Sequence, residues 1–478
     1  MPTDLAGSRE KTACTTQVWA GLAAKRLEKA ATLRTVRAQQ QHIHRQLRKN
    51  GVTFEGKRID VALMPTVVSA REVRRVAAQG KLVRSGLEKL IAAFRHELRR
   101  GPGPLQEAFQ PYRRWFGLIE RERPRLGEIG LMRFDGIRQR EGQWTFIETN
   151  TACAGGTTTC PILRAAWLTS PLGRRALQGA RLERYRHDRP SAFVEFLFRQ
   201  AERIAGPGRG NVAALNHRGD LTFEMDLWEQ VARRLRESGK VRGRFLLGDV
   251  REVEVVDQTA CLRGVPVALI HNKVDPLGID PEDSAIQGWI EASRLSRTDF
   301  LNSFAAQFLT EAKRVLVLLQ RPDLQHIIGL DRREKQAVCE LLPLSEIVQP
   351  ADRRQLTRLR RRRRQWVLKA DALTRGEGVF MGNELTSEEW EGAIAETRRN
   401  FGVMQRRIPI PRSPAIEIAQ GRLKIGQEHY GVELFYFAGQ FAGIASRSHR
   451  NQIFNVGHGG KERAVAAIAE WPGQDSCF

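Results

Sequence analysis

The segment RFDGIRQREGQWTFIETN, residues 133–150, limits the fold of this chain more than any other. Two short apolar runs flank Glu141-Gly142, and glycine in a tight turn favours a hairpin. Counting outward from a two-residue turn sets Arg140 against Gln143, Asp135 against Glu148 and Arg133 against Asn150. Alternate strand residues share a face, so Arg133, Asp135, Glu148 and Asn150 converge on one side. Directly opposed residues have Cβ atoms about 4.5–5.5 Å apart, and like charges there repel. Buried carboxylates need a positive partner. Mg²⁺ is one such partner, since it takes hard oxygen ligands, typically one or two carboxylates plus phosphate. Asp135, Glu148 and Asn150 supply suitable oxygens. Arg133 adds a fixed charge suited to a phosphoryl group or an oxyanion. A salt-bridged pair balanced by Arg133 on an exposed hairpin is the other reading.

The 478-residue chain is long enough for roughly two to four domains with cores of their own. No apolar run reaches the roughly 18–20 residues of a membrane span. The N-terminus shows no charged region followed by an apolar one, which points to a cytoplasmic protein. Six cysteines, at 14, 153, 160, 261, 339 and 477, lack metal or disulfide spacing, so reduced thiols are expected. The net charge of +24 invites an anionic partner. One dense run, LTRLRRRRRQW (356–366), stands out, but no nucleic-acid-binding motif accompanies it. Nucleic acid is not expected as the main partner.

Residues 15–50 have helical composition. RIDVALMPTVVS (58–69) is β-rich and is expected to end at Pro65. A helix follows, with Ser69 as N-cap, Gly80 as a possible break and GPGP (101–104) as a clear stop. After the hairpin comes the small-residue loop TACAGGTTTCP. Thr149, Thr151, Gly155, Gly156 and Thr157 to Thr159 either bind an acid's carboxylate or form a plain N-capped loop. Between 206 and 300, strand, helix and strand alternate as in a small α/β layer. A long helix is expected from about 300, in LNSFAAQFLTEAKRVLVLLQ.

A second constellation lies in QWVLKADALTRGEGVFMGNELTSEEW. Lys369 ends a strand, and Gly376 and Gly378 follow in a loop. A point charge beside backbone N–H groups free to approach oxygen suits phosphate. An ordinary β-hairpin is the alternative, since a lone GxG is weak. FGVMQRRIPI, with Gln405, reads as an edge strand beside a nucleotide base. His458, in NVGHGGKE, is a further candidate, though lone histidines are more often structural.

Together these stretches resemble the ATP-grasp superfamily, in its circularly permuted branch of glutathionylspermidine synthetase-like ligases. RFD…ETN is similar to that branch's metal segment, VLKADALTRGEGVFMG to its nucleotide segment, VMQRRI to its hinge and FAGQFAGIASRSHRNQIFNVGHGG to its closing segment. Ala370 stands where the branch has proline, and the arginine run is not a feature of it. The resemblance implies an α/β ATP-grasp fold, circularly permuted, with a Rossmann-like layer. The expected parts are a basic helical segment (1–54), a metal-binding part (55–205, hairpin 131–150), an α/β layer (206–300) and a nucleotide-binding part (301–470). It implies ATP as cosubstrate and one or two Mg²⁺ ions on Asp135, Glu148 and Asn150. Lys313, Lys369, Gly376, Gly378 and Gln405 are then nucleotide residues, and Arg133 and Arg447 catalytic. The implied activity joins a small-molecule or peptide carboxylate to an amine through an acyl phosphate. Phosphotransfer without amide formation, or an inactive scaffold for an acidic partner, are the alternatives.

Overall fold

The protein is seen in a computed structural model that describes residues 3–53, 56–139, 142–152, 154–275, 278–349, 351–371, 373, 376–453 and 459–472. At its centre is an eight-stranded sheet drawn from both ends of the sequence. The order is β1 (Val61–Ser69), β19 (Lys461–Glu470), β18 (Gln440–His449), β17 (Arg422–Phe437), β2 (Leu131–Arg138) and β3 (Trp144–Asn150). β4 (Arg181–Leu182) pairs with β19, and β16 (Arg412–Ala419) with β17. Only β1 and β19 run parallel among these pairs.

β1 does not end at Pro65 as the sequence implies. It continues to Ser69, and its register against β19 slips between Ala62 and Thr66. Proline has no N–H for the ladder, so an irregularity at this point lets the strand pass. Two helices, α1 (Thr3–Ala30) and α2 (Leu33–Lys49), cover this end of the sheet. Trp19, Ala23, Leu27, Val36, Ile43 and Leu47 recur at helical spacing and are buried with Trp167, Ala466 and Ile468.

α3 (Ala70–Arg100) starts after Ser69 and stops at Gly101. Gly80 does not break it. A Cβ at Gly80 would stand 2.2 Å from the Tyr436 hydroxyl, which donates to Ala77 O at 2.9 Å. The glycine makes room for that hydroxyl. Gly80→Ala is therefore expected to destabilise the protein, because overpacking costs about 1–3 kcal/mol against ~1 kcal/mol of helix propensity gained. Adding Tyr436→Phe should recover much of the loss in urea denaturation.

Two smaller layers flank the large sheet. β5 (Val212–Asn216), β6 (Phe245–Asp249), β10 (Leu269–Asn272) and β11 (Asp299–Phe300) form a parallel sheet in the order β11-β10-β5-β6. The helices Ala192–Ala205 and Met225–Glu237 pack on it. A three-stranded sheet of β7 (Val253–Val256), β8 (Thr259–Leu262) and β9 (Val265–Val267) lies in the same stretch of sequence. The other layer is antiparallel: β12 (Ser345–Ile347), β15 (Val403–Arg406), β13 (Trp366–Lys369) and β14 (Val379–Met381), in that order.

The long helix expected from about 300 is not formed. The chain makes a π-helical turn at Ala306–Thr310, breaks, and resumes at Val315–Leu318. Asp371 explains the break. Its backbone oxygen accepts from the Lys313 N–H (3.0 Å) and its carboxylate from the Arg314 N–H (2.8 Å). Those amides are lost to the helical ladder.

The expectation of reduced thiols also fails at one position. Cys14 is disulfide-bonded, whereas Cys160, Cys261 and Cys339 are free. Among the described residues no helix is long and apolar enough to cross a membrane.

Candidate functional site

β2 and β3 bring the first constellation together. Asp135 pairs with Glu148 and Arg133 with Asn150. The route to that register differs from the two-residue turn. Gln139 N–H donates to Gln143 O (2.8 Å), and Gly142, at φ 73°, donates to Gln139 O (3.1 Å). From Arg138–Trp144 to Gly136–Phe146 the ladder is one residue out of the expected register. Ile147 is then an extra residue in β3, a bulge that restores the pairing of Asp135 with Glu148. Arg140 and Glu141 lie outside the described residues.

The bulge also shapes the site. The Ile147 carbonyl accepts the Lys369 ammonium at 2.7 Å. Lys313 donates to Glu148 Oε1 at 2.8 Å. The Glu148 carboxylate therefore stands between two lysines, both nearly enclosed by protein. Burial alone would raise the Glu148 carboxyl, but Lys313 and Lys369 hold it down at about 2. Burial lowers the Lys369 ammonium to about 8, with Lys313 adding to the effect and Glu148 opposing it.

A pH signature follows. The folded-state value of Lys369 lies below its ordinary 10.5, so between about pH 8 and 10.5 the unfolded chain binds the extra proton. Stability of the ligand-free protein from this group should rise across that window. Affinity for a phosphate ligand should instead fall above about pH 8, as Lys369 loses its charge. Thermal unfolding of Lys369→Met and wild type at pH 7 and 9.5, each with and without ATP, checks both signs.

Arg133 grips Asp135 with two bonds, 2.6 and 3.0 Å, and donates to Gly155 O at 2.9 Å. Asn150 donates to Asp135 Oδ1 at 3.0 Å. Arg447, on β18, pairs with Glu433 on β17 and reaches Asp135 Oδ2 at 3.4 Å. Glu433 is directly opposite Asp135 on the other neighbouring strand. Charge thus crosses the sheet in two steps. Glu462 is opposite Arg447, and Glu433, Asp135 and Glu148 are opposite one another in turn. Arg447, whose own ladder partner on β17 is Gly431, reaches diagonally to Glu433. Burial would raise Glu433, but Arg447 and Arg133 outweigh it and lower the group. Among the described residues Glu462 has no such guanidinium bond. Burial and Glu433 push it up to about 7, and the Cys160 thiol donates to it at 3.4 Å.

Arg133, Asp135, Glu148, Asn150, Lys369, Gly376, Gln405 and Arg447 all line one cleft, enclosing about 900 Å³ of atom-free space, open solvent included. Its other walls are apolar, with Ile137, Ile147, Val367, Val379, Met381 and Ile408, and Arg406 and Arg407 stand at the rim. A lining that combines apolar side chains with a set of charged ones suits a ligand with a flat base and phosphates. Lys313 reaches the cleft through Glu148. Gly378 is placed differently: its φ is 65°, a Cβ there would lie 2.6 Å from that of Ala370, and its carbonyl accepts from Ala370 N–H at 2.8 Å. It serves the closure of the β13–β14 hairpin. His458 lies outside the described residues.

The loop 151–159 corrects the idea of an open carboxylate cradle. Glu224 fills it. Its carboxylate accepts from the N–H groups of Gly156, Thr157, Thr158 and Thr159 at 2.7–3.1 Å and from the Thr157 hydroxyl at 3.1 Å. Glu311 takes the N–H groups of Thr151 (2.5 Å) and Ala152 (2.9 Å) in the same way. These backbone donors are spent on the protein's own carboxylates, while the buried hydroxyls of Thr158 and Thr159 have no partner among the described residues. Glu224 holds its place at φ 69°, an uncommon left-handed conformation for this residue type.

The donor set bears on the metal. No cluster of three or more His, Cys, Asp or Glu side chains arranged for a metal occurs among the described residues. Asp135, Glu148 and the Asn150 amide are too few for a stand-alone site. They fit Mg²⁺ that completes its shell with phosphate and water.

No protein-family model matches this chain, and no curated protein matches it in sequence. Among solved structures it is similar to a glutathione synthetase-like effector from Globodera pallida in its apo form. The TM-score is 0.59 at 14% identity, over 92% of this chain and 98% of that one. D-alanyl-alanine synthetase A from Vibrio cholerae matches more loosely, with a TM-score of 0.29 and 10% identity over 56% of this chain and 91% of that one, and carries no weight here. The likeness to the effector speaks for architecture alone, and with the mixed α/β layers described above it gives the chain a fold of the ATP-grasp type.

Proposed function

We propose that the chain is an ATP-dependent ligase that joins a carboxylate to an amine through an acyl phosphate. The observation that carries this reading is Glu148 held between Lys313 and Lys369, opposite Asp135, in a cleft lined by both charged and apolar side chains. We also place the chain in the circularly permuted branch. In support, the hairpin β2–β3 precedes Lys369 in sequence yet pairs with β17, which follows it. The parallel layer, β5, β6, β10 and β11, would be its Rossmann-like part.

In this reading Lys313 and Lys369 hold the nucleotide's phosphates, and Gln405 with the apolar walls holds its base. Asp135, Glu148 and Asn150 hold Mg²⁺, which supplies charge neutralisation at the phosphates. Arg133 and Arg447 face the carboxylate being activated. A carboxylate oxygen attacks the γ-phosphorus and ADP leaves. The amine nitrogen then attacks the acyl carbon, phosphate leaves, and the amine gives up a proton. The protein contributes position and fixed charge rather than a covalent step.

Two measurements test this. Mg²⁺ alone should not shift thermal unfolding, whereas Mg²⁺ with ATP should: a ligand at about 100 times its Kd adds roughly 2.7 kcal/mol. Hydroxylamine, a general amine acceptor, should give hydroxamate and ADP in equal amounts when the right acid is present. ADP formed without any need for an amine would instead favour phosphotransfer. No shift with any nucleotide would favour a binding scaffold.

A further inference from the structure

The ligase reading leaves the run LTRLRRRRRQW unexplained. The structure divides its arginines into two groups. Arg358 pairs with Glu346, Arg360 with Glu391 at 2.8 Å, and Arg363 donates to the carbonyls of Gly382 (2.9 Å) and Leu385 (2.6 Å). Leu356 and Leu359 are buried beneath them. This group holds the helix Arg353–Arg361 to its layer. Arg361, Arg362 and Arg364 belong to the other group: exposed, and without an ion pair among the described residues.

The second group leads to the mouth of the cleft. Arg364 O accepts from Arg407 Nε at 2.9 Å, Gln365 O from the Arg407 N–H at 2.8 Å, and Gln365 Oε1 from Arg406 Nη1 at 3.0 Å. Arg406 and Arg407 line the cleft. From Arg361 to Gln365 the stretch is roughly 6–8 Å long, at about 1.5–2.0 Å per helical residue. About two to three extended residues of another chain would span it.

We propose that this track docks an acidic polypeptide and leads one of its carboxylates into the cleft. The second half of that statement rests on the ligase reading; the docking does not. Uncompensated guanidiniums in a row match a row of carboxylates, which they bind through planar, two-pronged bonds. The chain's net charge of +24 adds long-range attraction for the same partner. A nucleic acid would also feel that charge, but it fits the track less well. Trp366 and Trp390 of this layer are buried, and exposed Phe401 precedes β15, whereas the track meets the far end of that strand at Arg406. The indole of Trp366 lies under the guanidiniums of Arg358 and Arg406 but is buried, so it offers no open face for a base to stack on. An acidic chain, moreover, carries the functional group that the cleft would activate.

The test uses the full chain and fluorescein-labelled poly-L-glutamate, with anisotropy read at rising NaCl. Three proteins are compared: wild type, Arg361→Glu with Arg362→Glu, and a control with the same charge change on another helix, Arg234→Glu with Arg236→Glu. Wild type and control should bind alike, and the track variant at least about tenfold more weakly. The Mg²⁺-ATP thermal shift should be equal in all three, which shows that the variants are folded with an intact cleft. Equal poly-L-glutamate binding by all three proteins would overturn the proposal, and so would displacement of the probe by polyuridylate at lower concentration than by unlabelled poly-L-glutamate. If the track variant alone loses poly-L-glutamate while no protein responds to Mg²⁺-ATP, the docking stands and the ligase reading falls.

Discussion

Glu148→Gln should leave the protein folded and almost without activity. The substitution keeps the size of the side chain and removes its charge. Lys313 and Lys369 would then face each other across a neutral amide, at a site where both are buried. The ammonium of Lys369, already lowered to about 8, would lose the support of the Glu148 carboxylate and keep only that of Asp135. In the proposed reaction the same change takes one of two carboxylates from the metal's shell. Loss of a single preorganised electrostatic partner costs roughly 100- to 1000-fold in turnover, and a comparable or greater loss is expected here. Glu148 is partly open to the cleft, so the cost in stability should be the smaller effect, about 1–2 kcal/mol rather than the ~3–5 kcal/mol of a fully buried broken pair. A Mg²⁺ titration of the ATP-induced thermal shift reads the metal half of this prediction. If Glu148→Gln keeps the full Mg²⁺-dependent shift, the hairpin is a salt-bridged structural element and nothing more.

The second large effect lies outside the cleft. Asp371 is buried, and its carboxylate accepts from the Arg314 N–H (2.8 Å), Arg314 Nε (2.5 Å) and the Tyr112 hydroxyl (3.1 Å). The same arginine donates to the carbonyls of Ala108 and Phe401. One carboxylate therefore ties α3's following loop, the broken helix that carries Lys313, and the layer that carries Lys369. Asp371→Ala strands a buried guanidinium and should cost about 3–5 kcal/mol, read as an earlier midpoint in urea. Hydrogen exchange gives a built-in comparison. The Arg314 amide loses its acceptor and should exchange faster, whereas the Lys313 amide, bonded to the backbone oxygen of residue 371, should keep more of its protection. Equal exchange of both amides in variant and wild type would contradict the role given to Asp371.

Much of the cleft was legible because its signals are local. Strand alternation places Arg133, Asp135, Glu148 and Asn150 on one face whatever the rest of the chain does. Even so, the pairing came out right by compensation: the turn is longer than expected near Gln139 and the bulge at Ile147 cancels the shift. The apolar run VELFYF of β17 carries one acidic residue, Glu433, but nothing local to it names β2 as its neighbour or sets it against Asp135. An acidic residue in an otherwise apolar strand was the available signal. Glu224 and Glu311 left no such trace. Each lies far in sequence from the loop it caps, and a glutamate that ends up accepting backbone N–H groups looks like any surface glutamate. The expected helix from about 300 failed for the same reason, since its apolar periodicity is real but Asp371, much later in the chain, takes its amides. The arginine run reads as uniform in sequence, and only the carboxylates of Glu346 and Glu391 sort it into two groups.

The parallel pairing of β1 with β19 has a consequence for how the protein is made. Val61 meets Glu462, and Ser69 meets Ile468. A ribosome that has released β1 must carry on almost through the described chain before that strand's ladder partner emerges. Contacts so distant in sequence close slowly, because the loop entropy is lost before the contact repays it. Until then the apolar residues of β1, from Leu63 to Val68, remain without their neighbour, and an unpaired apolar strand is a template for the wrong partner. Synthesis of this chain should therefore depend on the helices α1, α2 and α3, made before and just after β1, to shelter it. Messages that stall before codon 461 should yield aggregates rather than a smaller soluble protein.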